Sequence, residues 1–141
     1  VPKYLLTNAK ITVNSVDLSR FGFSLDTPED AEQVDVSGFS PTGTREYLPG
    51  TRSQQIVIGF LQSFGAGEVH QTLQPLYASG SVFAMKVQPD ATAAPSATNP
   101  TFGGSAVLYS YDGLNGQLSA RGEITATFLA SGTVGFAWGT T

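Results

Sequence analysis

Very few residues in this chain could do chemistry. His70 is the single imidazole, and there is no cysteine among the 141 residues. Thiol nucleophiles, thiolate metal centres and disulfide frameworks are therefore excluded, as is any site needing two imidazoles. A serine triad would have to be built around His70, yet no G-x-S-x-G elbow occurs, and His70 falls in a segment of helical spacing. Its plainer reading is a helix-surface or partly packed histidine. Asp26, Glu29, Asp30, Glu32 and Asp35 gather five of the eleven acids within ten residues. Calcium favours such oxygens, but the spacing does not follow the EF-hand loop with its glycine at position six, and a solvated acidic turn explains the run. Paired carboxylates for glycoside chemistry are invisible in sequence, but sugar sites usually offer tryptophan platforms and Trp138 stands alone. Gly103-Gly104 and Gly113-x-x-Gly116 lack the helix and lysine of a phosphate cradle and read as turns. No residue set supports catalysis, a cofactor or a metal.

The scaffold is easier to read. A chain of 141 residues and 14.8 kDa is one domain's worth, spanning 1–141, and should bury roughly 68–70% of its unfolded surface. Charged residues make up only 13%, about half the usual share, while 11% are aromatic. That balance argues against disorder. The net charge of −4 argues against a surface that grips nucleic acid. No apolar run approaches the roughly 18–20 residues of a membrane span, and Val1–Lys10 has no basic-then-apolar leader pattern. The exterior must be unusually neutral.

Along the chain, period-two alternation dominates. Lys10–Asn14 and Val16–Leu18 flank the turn Asn14-Ser15 as a hairpin, Phe21, Phe23 and Leu25 share one face, and Val34 and Val36 mark another strand after a Thr27–Asp30 turn. Gly38–Arg52 carries Phe39, Tyr47 and Leu48 without any period, which predicts a long functional loop. Gln54–Phe60 reads as a central strand apolar on both faces. Only Ala66–Ser79 is helical, with Val69, Leu73, Leu76 and Tyr77 on one face, Pro75 ending or bending it and Gly80 capping its exit. Ser81–Gln88, Ser105–Tyr111, Glu123–Leu129 and Thr133–Trp138 are further strands. Asp90–Pro100, rich in Ala, Thr, Ser and Pro, predicts a mobile loop or an arm ordered by a neighbour. The sum is a mainly β fold: an antiparallel β-sandwich or barrel of seven to nine strands, one flanking helix at about 66–79 and a long loop at 38–52.

Several stretches, in order, carry a resemblance: Leu6–Leu18, Thr44–Arg52, the Ile56–Phe60 strand, Gly67–Leu76 with Ser79-Gly80, and Ser96–Pro100. Together they resemble the small tail tube, or major tail, proteins of long-tailed, non-contractile bacteriophages. The Asn115–Ala120 region and Phe136-Ala137-Trp138 depart from that pattern, which leaves the C-terminal contacts open. The resemblance implies a β-sandwich subunit of hexameric rings that stack helically into a tube, meeting other tail proteins at its ends. DNA would pass through without specific binding, and neither cofactor, reaction nor membrane is involved. The place of action would be the virion tail, assembled in the host bacterial cytoplasm.

Two sets of residues acquire expected roles within such a ring. Phe39, Tyr47 and Leu48, flanked by Arg45, Glu46 and Arg52, are liabilities on an isolated loop and suit anchors between subunits or between rings. A core loop is the alternative. Asp26, Glu29, Asp30, Glu32 and Asp35 would lie near the channel, where like charge keeps phosphate sliding, or else form an outward solvated turn. A capsid decoration or head-completion protein shares these features, while a carbohydrate-binding module or a hydrolase would need an aromatic platform or a pocket around His70.

Overall fold

A computed structural model describes residues 6–39, 42–132 and 135–140. Period-two patterning becomes nine strands: β1 (Lys10–Val13), β2 (Val16–Asp17), β3 (Gly22–Asp26), β4 (Glu29–Asp35), β5 (Tyr47–Leu61), β6 (Phe83–Gln88), β7 (Thr101–Tyr111), β8 (Glu123–Ala130) and β9 (Phe136–Gly139). All pairings are antiparallel, in the order β2-β1-β6-β7-β8-β5-β3, with β4 added to the first half of β5 and β9 to the first half of β7. This sheet curves around its core without closing into a barrel, a sandwich-like arrangement. The last expected strand is confined to β9; Thr133 lies outside the described residues, as do Val1–Leu5 of the expected leader-free terminus and Ser40-Pro41 of the expected loop.

Inward-facing residues of alternate positions build the core: Ile56, Ile58 and Phe60 from β5, Phe83, Met85 and Val87 from β6, Ile124, Ala126 and Phe128 from β8. Phe83 meets Phe128 edge-on at 6.0 Å, and Phe102 meets Phe136 at 5.5 Å. Each fully buried phenylalanine contributes about 1.5–3 kcal/mol. Residues on the opposite face of β5, Val57 and Leu61, are half-buried, and β3 and β8 flank the strand on either side.

The helix α1 (Val69–Ser79) packs on β7 through Val69, Leu73 and Leu76. It starts three residues later than the spacing predicts. Pro75 neither ends it nor stops Leu76 from accepting the N–H of Gly80, which sits in the left-handed region at φ 65°. Burial of Leu73 and Leu76 outweighs the one backbone bond that proline removes. Tyr77, assigned by spacing to the apolar face, is half-exposed.

Three local readings change. A 3-10 turn at Ser19–Phe21 and an irregularity between Gly22 and Ser24 break the expected Phe21, Phe23, Leu25 face: Phe21 and Leu25 pack on the core while Phe23 is thrown outward under the guanidinium of Arg121. Gly103 and Gly104 are not turn residues but mid-strand positions of β7, squeezed between β6 and β9. Finally, Asp90–Pro100 is pinned down. The buried side chain of Asn99 accepts the N–H of Asp90 and donates to the carbonyls of Asp90 and Ala93, while buried Gln88 donates to the same two carbonyls. Two amides thus satisfy a backbone that has no ladder of its own.

Candidate functional site

The long unpatterned loop is mostly strand. Tyr47–Arg52 belong to β5 and pair with β4, from Glu29 opposite Gln54 to Asp35 opposite Tyr47, so the loop proper shrinks to 36–46. The pairing shifts between Ala31 and Gln33, where Gly50 and Thr51 together oppose Glu32. A proline lacks a ladder donor, and Pro-Gly usually signals a turn, but both residues are compatible with a bulged edge ladder. No residue of β4 is buried, nor is any of Tyr47–Ser53. The two strands therefore stand away from the core as an arm.

Side chains alternate across the arm, so it has two faces. Val34 is opposite Leu48, and a Cβ placed on Gly50 would meet Val34 Cγ2 at 2.9 Å and Glu32 Cβ at 3.3 Å, putting all four positions on one face. Asp30 and Val36 extend that face by the period of two. Glu29, Asp35, Tyr47 and Arg52 occupy the other. Near the tip, Glu46 donates its N–H to Ser37 Oγ at 2.7 Å and accepts the N–H of Val36 at 3.0 Å. The Asp35 carboxylate accepts the Ser37 N–H at 2.9 Å and lies 3.7 Å from Arg45. Hydrogen bonds from the Ser37 side chain and then its backbone hold the Asp35 carboxyl below its ordinary value.

All six residues expected to contact neighbours lie on this arm: Phe39, Arg45 and Glu46 in its loop, Tyr47, Leu48 and Arg52 in its strand. Phe39 is wholly exposed and Leu48 is 57% exposed. Four of the five acids are there too, but the expected acidic turn is a strand, and its pairing divides Asp30 and Glu32 from Glu29 and Asp35. Asp26 stays behind at the end of β3, opposite Val57. Sequence reasoning missed a second apolar feature, the 112–122 loop, where Leu114 and Leu118 are almost fully exposed. Leucines amid Asp-Gly and Asn-Gly dipeptides were its only signal.

The ring of His70 does structural work. Its Nδ1 shares a hydrogen bond with the Tyr111 hydroxyl at 2.7 Å, Gln62 Nε2 donates to that hydroxyl at 3.1 Å, and Phe64 lies 5.0 Å away by ring centroid. Burial pushes the Tyr111 phenol up, opposed by the Gln62 hydrogen bond. The nearby carboxylate of Glu68 is engaged by Ser63 at 2.7 Å and Arg20 at 3.6 Å. This network ties the start of α1 to the end of β7. Among the described residues, no group of three or more acids and histidines could hold a metal, and no helix is long and apolar enough to cross a membrane.

No protein family or curated protein matches the sequence. Solved structures do match the fold. A chain of the native gene transfer agent virion superposes with TM-score 0.71 at 21% identity, covering 92% of this chain and 95% of that one. A chain from the tail of an empty gene transfer agent particle, computed by helical refinement in C6 symmetry, gives 0.66 at 20% identity over 86% and 82%. The SPP1 tail tube, determined by solid-state NMR and cryo-EM, gives 0.69 at 12% identity over 95% and 77%. At these identities the likeness is one of fold: the chain shares the architecture of these virion and tail chains.

Proposed function

We propose that this chain is a structural subunit of a phage-type tail tube, acting in the virion as six-membered rings that stack helically around a channel for DNA. The observation that carries the reading is the fold shared with a gene transfer agent tail chain and the SPP1 tail tube, matched over 86% and 95% of this chain. The arm supports it. A two-stranded projection bearing exposed Tyr47, Leu48 and Phe39 is costly on a lone molecule and suits a heterologous head-to-tail contact. So does a sequence with only 13% charged residues, since charge is depleted from interface cores. Phe39, Arg45, Glu46, Tyr47, Leu48 and Arg52 are the contact residues of this reading.

The acids border the channel, where like charge keeps phosphates from sticking. Strand pairing allows only one face of the arm to look inward, so Glu29 and Asp35, or Asp30 and Glu32, do so rather than all four. The role is structural and non-enzymatic, with other tail components at the tube ends. Negative-stain microscopy of the concentrated protein tests this: hollow tubes or six-fold rings are expected. A single unassociated species in sedimentation at high concentration overturns it.

A further inference from the structure

On the outward side of β1, β6 and β7 lies a groove of about 720 Å³, roofed by residues 91–95. Its roof is preformed, because Asn99 and Gln88 hold the Asp90 and Ala93 carbonyls in place. Its walls combine small apolar surface, from Ala84 on β6, Ala93, Ala94 and Pro95 above and bare backbone at Gly103 and Gly104, with the polar residues Thr12, Ser15 and Thr92. Both lysines among the described residues, Lys10 and Lys86, line it. Thr12 is paired with Lys86 on one side and with Asp17 on the other, so Asp17 is the neighbouring acid, engaged by Ser19 and near enough to Lys10 to feel its charge. The described arginines are placed elsewhere: Arg20, Arg45 and Arg121 pair with Glu68, Asp35 and Glu123, and Arg52 is on the arm.

One face of the arm is complementary to this groove. Asp30 and Glu32 supply two negative charges, and Val34, Val36 and Leu48 supply exposed aliphatic surface. Over the seven residues of β4 that face extends about 23 Å. We infer that the Asp30–Glu32–Val34 face of one copy's arm docks into the Lys10–Lys86 groove of a second copy. The inference rests on the tube reading above and deepens it by naming the receiving surface. Carboxylates meet ammonium groups at the rim, where opposite charge fixes register and rejects wrong pairings. The aliphatic residues cover Ala84 and the roof. The contact is heterologous, so each copy gives an arm and receives one, and assembly propagates.

Because the chain has no cysteine, the contact can be trapped cleanly. Val34→Cys and Ala94→Cys proteins, both changed at exposed positions, are mixed and oxidised during assembly. A disulfide-linked dimer is expected from the mixture, and none when Leu118→Cys replaces Ala94→Cys. In parallel, Lys10→Glu with Lys86→Glu should raise the assembly threshold roughly tenfold or more. Adding Asp30→Lys with Glu32→Lys in the same chain should restore it. Circular dichroism confirms that each variant is folded. If the unmodified protein forms tubes but no Val34–Ala94 link appears, or the charge swap restores nothing, the docking is wrong and the tube reading stands. If the unmodified protein never associates, both fall.

Discussion

The carboxamide of Gln54 closes both backbone hydrogen bonds of Phe136: Nε2 donates to its carbonyl at 2.9 Å and Oε1 accepts its N–H at 3.0 Å. One side chain thus takes the place of a strand partner and fastens β9 to β5 where the arm leaves the core. Gln54→Ala strands both polar groups, and leaving such groups unsatisfied costs about 1–3 kcal/mol. The melting temperature should fall by roughly 3–10 °C. Gln54→Glu, which keeps the acceptor but loses the donor, should fall between the two in thermal denaturation.

Asn99 governs the 91–95 roof. Asn99→Ala removes an acceptor for the Asp90 N–H and a donor to two carbonyls at 6% exposure. The expected loss is again about 1–3 kcal/mol. Hydrogen exchange should quicken at residues 90–99 well before the β5–β8 ladder is affected.

Gly103 admits no side chain. A Cβ there would collide with the Met85 carbonyl oxygen and lie 2.8 Å from Lys86 Cα, and this β6 backbone, held in its own ladders, cannot move aside. Gly103→Ala should cost about 3 kcal/mol, at the upper end for overpacking. Gly116→Ala, whose Cβ would find nothing nearer than 3.8 Å, should melt close to the parent. Equal melting temperatures for the two variants contradict this packing.

Three Asp-x-Ser/Thr turns share one acid response. Asp17, Asp35 and Asp90 each accept hydrogen bonds from the residue two positions on, Ser19, Ser37 and Thr92, and each carboxyl is lowered from 3.8 chiefly by those bonds. A depressed folded value means that the stabilisation is fully present above 3.8 and is lost as pH falls through the folded values below it. Urea unfolding should therefore weaken below pH 4. The decline should be shallower in the Asp17→Asn, Asp35→Asn, Asp90→Asn triple variant; an unchanged slope would mean these turns do not contribute.

Tyr47 and Leu48 face opposite sides of the arm and touch none of the core. Replacing both with alanine should leave the melting curve nearly unchanged while abolishing rings and tubes under the microscope. Normal tubes from that variant would remove Tyr47 and Leu48 from the contact set.

What could be read beforehand was the part governed by period. Ile56, Ile58, Phe60 and the Phe83, Met85, Val87 series alternate without interruption, and the structure buries all six. The Asn14-Ser15 turn follows from residue type, and both residues do take positive φ, 49° and 69°. The arm escaped because its signal is hidden by chemistry that normally means a turn: Pro49-Gly50 sits at a bulge, and an exposed ladder needs no hydrophobic alternation. The Asp90–Pro100 staple was illegible for another reason. Its hydrogen bonds come from two amide side chains reaching across several residues, which no local pattern announces. The six residues proposed for subunit contact were singled out because Phe39, Tyr47 and Leu48 are large side chains without a period, with Arg45, Glu46 and Arg52 beside them, although half of the six belong to a strand rather than a loop.

β5 runs unbroken for fifteen residues, about 50 Å, from the arm into the middle of the core. A load applied at its tip is therefore handed along a single covalent backbone to the ladders with β3 and β8, with no flexible linker to absorb it. The one break in its pairing with β4 is the Gly50-Thr51 bulge opposite Glu32, and a bulge is where a strand bends. In a stacked filament, flexing would be taken up there, subunit by subunit, while the packed bodies stay stiff.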